Sequence, residues 1–323
     1  MDDIQNKELQ PLMVSIKCLA YNHGKFIRET LEGFVMQKTN FRFEAIVHDD
    51  ASTDNTAKII REYAEKYPDI IKPIYENENQ YSKKDDSLTR IMHNACKGKY
   101  IAICEGDDYW TDPYKLQKQV DFLESHPEYV ICFHRYQKFY QNTCFLGSVY
   151  PENFINDFSF DLNYYIYRED WVTQPLTCIY LASAFDLNYY LKFKNRKDLI
   201  FFYVLLKKGK GMLLSDCMGV YRIHQEGVWS GLSSSDQFVS ELQTTKSIYD
   251  VERGAISAFM LKFFLQRNCD KFTFQIIKSE LKLMLSVWIT VIKHFKFQGL
   301  MLIIHQLHLK KKLKYIKTLV SRF

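Results

Sequence analysis

Tyr100-Ile101-Ala102-Ile103-Cys104-Glu105-Gly106-Asp107-Asp108-Tyr109-Trp110 is the stretch on which the reading of this chain turns. Tyr100 to Cys104 is a short apolar run behind a glycine, the pattern of a buried strand. Glu105, Asp107 and Asp108 then crowd around Gly106. Carboxylates this close repel one another and resist burial, so they persist where a cation or a donor-rich ligand neutralises them. Oxygen donors alone suit a hard divalent ion, Mn2+ or Mg2+. The competing reading is a solvated acidic turn before a helix opening at Pro113, although Asp112 would cap that helix unaided.

Upstream, the pattern repeats. Val14 to Ala20 reads as a first strand, followed by the turn Tyr21-Asn22-His23-Gly24. Ile27, Leu31, Phe34 and Val35 fall at helical spacing. Phe43 to His48 is a second strand with Asp49-Asp50 at its carboxyl end, and Ser52 offers an N-cap to a helix that stops at Pro68. Ile70 to Tyr75 is a third strand, Ser87 to Lys97 a helix, and 113–124 another. Alternation of this kind is α/β, with a mainly parallel sheet flanked by helices. Ligands of such sheets bind beyond the carboxyl ends of the strands, where strand order reverses. Both acidic clusters lie at that edge. No GxGxxG follows the first strand and no GxxxxGK[ST] occurs anywhere, which argues against a dinucleotide oxidoreductase or a P-loop nucleotidase.

Downstream the pattern weakens. Tyr129 to Phe133 reads as a fifth strand, 141–170 as an insertion or loop, Gln174 to Tyr180 as a strand, Ser183 to Leu191 as a helix and Leu199 to Lys208 as a helix closed by Gly209. The chain has 323 residues, 47% of them hydrophobic, enough for one large or two modest cores. Its eight cysteines form no CxxC pair and no zinc spacing, which favours a reducing compartment. The polar N-terminus is no signal peptide and no run of about 18 uninterrupted apolar residues marks a membrane span. The expected place is the cytoplasm. Net charge is +5, but from Lys262 onward 13 basic residues face 2 acidic ones, a local balance of +11. Aromatics are not interleaved with those basic residues, so no nucleic acid is expected as a partner.

Val14-Ser15-Ile16, Tyr21-Asn22, the run from Val47 to Asp54, Gly98-Lys99-Tyr100-Ile101, Glu105-Gly106-Asp107-Asp108-Tyr109-Trp110 and Lys115-Leu116 together resemble glycosyltransferase family 2 over roughly the first 230 residues. The resemblance implies the GT-A fold, a Rossmann-like sheet. It also implies an inverting transferase that moves a sugar from a nucleotide diphosphate, most simply a UDP-sugar, to an acceptor hydroxyl with a divalent metal. A catalytic domain would occupy 1–254, with a nucleotide-sugar half to about 125 and an acceptor half from about 126, followed by a helical tail over 255–323. In the family's Asp-Asp-Gly-Ser element the second aspartate contacts the base, which carries over to Asp50. Ala20 and Tyr21, at the end of the first strand, are placed with it at the nucleotide; for Tyr21, ordinary loop packing competes. The family's Asp-x-Asp metal motif falls on Glu105-Gly106-Asp107, with Glu where the family has Asp. Asp107 is the principal ligand, and Asp108 or Glu105 shares the metal or a ribose contact.

The resemblance implies Asp198 as the general base, an acidic residue opening a helix some way before a Tyr-Arg-x-His element, and inverting transfer needs such a carboxylate opposite the departing diphosphate. From the residues alone it is equally a helix N-cap. Arg222 and His224, in Tyr221-Arg222-Ile223-His224, are expected to hold the diphosphate when a loop closes; a lone His near a strand end also suits plain packing. In the tail, Leu281, Leu285, Trp288 and Ile292 form one stripe, and an apolar run to Leu309 leads into Lys310-Lys311-Lys312-Leu313-Lys314. That describes a helix lying in an anionic membrane interface, serving a saccharide or lipid-linked acceptor, or else a cap packed on the catalytic domain. A sugar-nucleotide-binding scaffold without chemistry is the alternative function; a nucleotidyltransferase would carry a Gly-rich basic loop that Tyr21 to Lys25 does not supply.

Overall fold

The computed structural model describes residues 11–167, 171–227, 229–268 and 274–306. It divides into two compact units, one of Met1–Leu191 with Phe201–Gln225 and one of Lys192–Ile200 with Glu226–Phe323.

The first unit is built on one sheet, with strand order β3-β2-β1-β4-β9-β6-β10-β5. β1 (Leu12–Ala20), β2 (Arg42–Asp49), β3 (Ile71–Tyr75) and β4 (Tyr100–Ile103) pair in parallel. β1 therefore lies between β2 and β4, and the sheet's crossovers reverse direction there. Alternate residues of β1, Val14, Ile16, Cys18 and Ala20, are buried in one core with Ile27, Leu31 and Phe34 of α1 (Ile27–Val35), Ile60 and Tyr63 of α2 (Thr56–Lys66), and Leu116 and Val120 of the helix Lys115–Ser125.

The second half of this unit departs from a purely parallel pattern. β9 (Ile179–Leu181) runs antiparallel to both β4 and β6 (Tyr129–Tyr140). β10 (Lys210–Ile223) runs parallel to β6, and β5 (Tyr109–Trp110) returns antiparallel to β10. The segment 141–170, expected as an insertion or loop, holds β7 (Phe145–Tyr150), β8 (Phe158–Phe160) and a helix, Leu162–Tyr167; both strands extend the sheet as edge partners. The helix expected over Ser183 to Leu191 is a 3-10 turn, Ala182–Ala184, and a single helical turn, Leu187–Tyr190. Ser52 is not an N-cap: its hydroxyl accepts from Asn22 N at 2.9 Å, and α2 starts four residues later.

The second unit is helical. Ser234–Glu252, Ala255–Arg267, Phe274–Ser279 and Leu281–Gln306 share a core of Phe238, Leu242, Leu261, Leu265, Met284, Val287 and Val291. The boundary expected at 254 falls between the first two of these helices. The lysine cluster 310–314 lies outside the described residues. Leu281–Ile304 is long and apolar enough by composition to cross a bilayer, but the helix breaks at Lys296 (φ 47, ψ -124).

Candidate active site

Three loops meet at the carboxyl end of β1. The register pairs Ala20 with Asp49, and Asp50 N donates to Ala20 O at 2.9 Å. From the other side Cys104 N donates to Lys17 O at 3.2 Å and Gly106 N to Leu19 O at 2.9 Å. The two acidic clusters are thus stitched to one strand end. A Cβ at Gly106 would sit 3.1 Å from Ala20 Cβ and 2.7 Å from His23 Nδ1, so only glycine lets the acidic loop approach β1 this closely.

Asp50 is buried, and its two oxygens accept from Gln80 N at 2.6 Å and Tyr81 N at 3.0 Å, at the start of the short helix Gln80–Lys83. Each oxygen retains a second lone pair. Asp49 is buried too, and its Oδ1 has no hydrogen-bond partner among the described residues. A buried acceptor without a donor is costly unless a ligand supplies one. Ala51 follows with φ 61, a left-handed conformation that explains why glycine suits this position in the resembling family. Tyr21, which follows Ala20 in sequence, is exposed.

Asp107 and Asp108 have opposite environments. His224 Nε2 donates to Asp107 Oδ2 at 3.0 Å, and His23 Nε2 stands 3.9 Å from the same oxygen. Burial works to raise the Asp107 carboxyl, but the His224 hydrogen bond and the fields of His23 and His224 outweigh it and hold it below the usual range. Asp108 is pushed well above that range by burial and then by the charge of Asp107; its Oδ1 accepts from Arg222 N at 2.8 Å. Glu105 is exposed.

Arg222, an expected phosphate ligand, is 5% exposed, and three of its five N–H donors are engaged: Nε donates to Asp107 O at 2.9 Å, Nη1 to Gln141 Oε1 at 2.5 Å and Nη2 to Glu29. It lies over Phe26, Tyr109 and Phe139. In this state Arg222 clamps the acidic loop. His224, buried against the Phe26 ring at 4.7 Å, faces Asp107. Thr30 Oγ1 holds the loop from α1, reaching Asp108 O at 2.6 Å and Gly106 O at 3.1 Å. Asp198, counted with the second unit, is exposed at the first residue of the helix Asp198–Leu206. His23, Glu29, Thr30 and Gln141 were not singled out from sequence. His23 alone carried a signal, as a titratable residue just past the end of β1; Gln141 was hidden in the segment taken for a loop.

Among the described residues no three His, Cys, Asp or Glu side chains form a group that would hold a metal ion by themselves. Asp107 nevertheless offers carboxylate oxygens, one of them oriented by His224 Nε2 at 3.0 Å. That fits an ion completed by phosphate oxygens of a substrate, as Mg2+ and Mn2+ sites with few protein ligands are.

The model of the family described as "Glycosyl transferase family 2" matches residues 15–183, over half of the chain. The chain belongs to glycosyltransferase family 2. This glycosyltransferase is 36% identical to an uncharacterised protein of Mycobacterium tuberculosis over 227 residues, 67% of this chain and 60% of the relative, so it spans less than two thirds of that protein's length. It is 34% identical over 113 residues, 35% of this chain and 42% of the relative, to an Escherichia coli enzyme, UDP-Glc:alpha-D-GlcNAc-diphosphoundecaprenol beta-1,3-glucosyltransferase WfaP. In structure it is similar to Staphylococcus aureus TarS 1–349 in complex with UDP-GlcNAc, with a TM-score of 0.63 at 17% identity, covering 87% of this chain and 82% of that one. The GT-A architecture expected from the sequence is therefore the fold of this glycosyltransferase.

Proposed function

We propose that this glycosyltransferase moves a sugar, with inversion, from a UDP-sugar to a hydroxyl of a saccharide or lipid-linked glycan. The reading is carried by one observation: the loops bearing Asp50 and Asp107 are both hydrogen-bonded to the last residues of β1, Ala20 and Leu19. The UDP of the TarS complex and the donor and lipid-diphosphate acceptor named for WfaP support the substrate classes. Asp49 and Asp50 present acceptors to the N–H groups of a nucleobase, next to Ala20 and Tyr21. Asp107 would hold Mn2+ or Mg2+, its carboxylate oriented by His224, with Asp108 or exposed Glu105 sharing the metal or a ribose contact. Such an ion neutralises the charge that grows on the leaving diphosphate. Asp198 takes the proton of the acceptor hydroxyl as the anomeric bond breaks, and it is exposed at the first turn of its helix. Arg222 and His224 hold the acidic loop, and contribute to diphosphate binding when the loop moves.

A panel of UDP- and GDP-sugars, scored for binding and slow hydrolysis with Mn2+ present and absent, tests this. UDP-sugars should bind, with hydrolysis dependent on the metal. Asp198→Asn should keep donor binding and lose transfer by roughly a hundredfold or more. Failure of every nucleotide sugar to bind would end the reading.

A further inference from the structure

The helix Leu281–Gln306 is apolar on two faces, and the core of its unit uses one of them. Met284, Val287 and Val291 are fully buried, and Leu302 and Ile303 nearly so. Leu285, Ile289 and Ile292, spaced along one stripe, remain outside, with Ile289 65% exposed. Beyond the break at Lys296 the second arm repeats the arrangement, with Phe297 71% exposed, Leu300 and Met301 exposed as well. A Cβ on Gly299 would lie 2.6 Å from Val291 O, so the second arm turns back closely on the first. Single exposed apolar residues need no explanation; six exposed apolar side chains on two closely approaching arms mark an interaction surface.

We infer that this helical hairpin lies in the interface of an anionic lipid bilayer, with Leu285, Ile289, Ile292, Phe297, Leu300 and Met301 turned into it. Charge selects this occupant. Exposed Lys282, Lys293 and Lys296 border the face, and Glu280 is the sole acidic residue from 274 to 323, against ten basic ones. Among the described residues, length excludes a span by either arm. From 281 to 295 the helix rises about 22 Å at 1.5 Å per residue, short of the ~30 Å hydrocarbon thickness. An apolar face with a cationic border that is too short to cross describes a helix lying in the membrane plane. The inference does not depend on the transfer chemistry.

Sedimentation of the full chain with sucrose-loaded vesicles tests it. Vesicles of phosphatidylglycerol and phosphatidylcholine should pull the wild type down, pure phosphatidylcholine much less. The double variant Ile289→Asp/Phe297→Asp should lose about a hundredfold in partitioning, and Lys293→Glu/Lys296→Glu about tenfold. Both variants change exposed positions, and an unchanged thermal midpoint shows that they fold. Wild type that stays in the supernatant, or pellets equally with the apolar face charged, overturns the inference. So does a dimer that both double variants dissociate while vesicles have no effect, which would make a second copy the occupant.

Discussion

Lys115 sits where a charge is hardest to keep. It is fully buried, its Nζ has no hydrogen-bond partner among the described residues, and it lies 4.0 Å from the centre of the Trp110 ring. Burial lowers its pKa to about 8 from 10.5. Between about 8 and 10.5 the unfolded chain holds this proton and the folded chain does not, so stability rises as pH rises through that window. The Trp110 ring offsets part of the cost. Lys115→Met should flatten the pH dependence and leave the protein at least as stable at pH 7, on the order of 1–3 kcal/mol above wild type. Urea midpoints at pH 7 and pH 10 check this; a wild-type midpoint that falls over that range contradicts it. Asp107 and Asp108 make the same point about environment. Adjacent and chemically identical, they differ because two imidazoles face one and a buried pocket encloses the other.

The acidic loop is the element on which the site depends, and it is held from two sides. Arg222, on β10, grips the backbone of Asp107 while Thr30, on α1, reaches Gly106 O and Asp108 O. Thr30→Val should cost about 1–2 kcal/mol and weaken donor binding by loosening the loop, with little effect on the fold elsewhere. Denaturant unfolding and donor titration check both effects; unchanged donor affinity would mean the loop is set without Thr30. The elements of the first half were legible because each strand is apolar and each helix carries a 3.6-residue stripe, and the site was legible because Asp50 and Asp107 end such strands. The second half was not. β7 and β8 are edge strands, half-exposed and short, so their residues show no buried alternation. β10 is fourteen residues long with irregular register against β6, which breaks the alternation that would reveal it. Arg222's partners were unreadable, since Glu29 and Gln141 are brought to it only by the sheet.

At the scale of the whole molecule, two cores serve two chemistries. The first surrounds β1 and presents carboxylates at one rim. The second is helical, and among its described residues Lys262, Lys278, Lys282, Lys293 and Lys296 belong to the basic excess that the sequence shows from Lys262 onward. Leu265 is fully buried at the centre of the helical core. Leu265→Ala should destabilise that unit by about 2–5 kcal/mol, read as faster hydrogen exchange along Ala255–Arg267; exchange unchanged would mean the helices do not share a core. At the rim of the first unit, the proposed function has Asp107 complete a metal-assisted donor site. Isothermal titration of UDP-GlcNAc with and without Mn2+, on wild type and on Asp107→Asn, tests it most directly. Tight binding that requires Mn2+ and falls at least about tenfold in Asp107→Asn is the predicted result; equal binding by both proteins, indifferent to the metal, would contradict it.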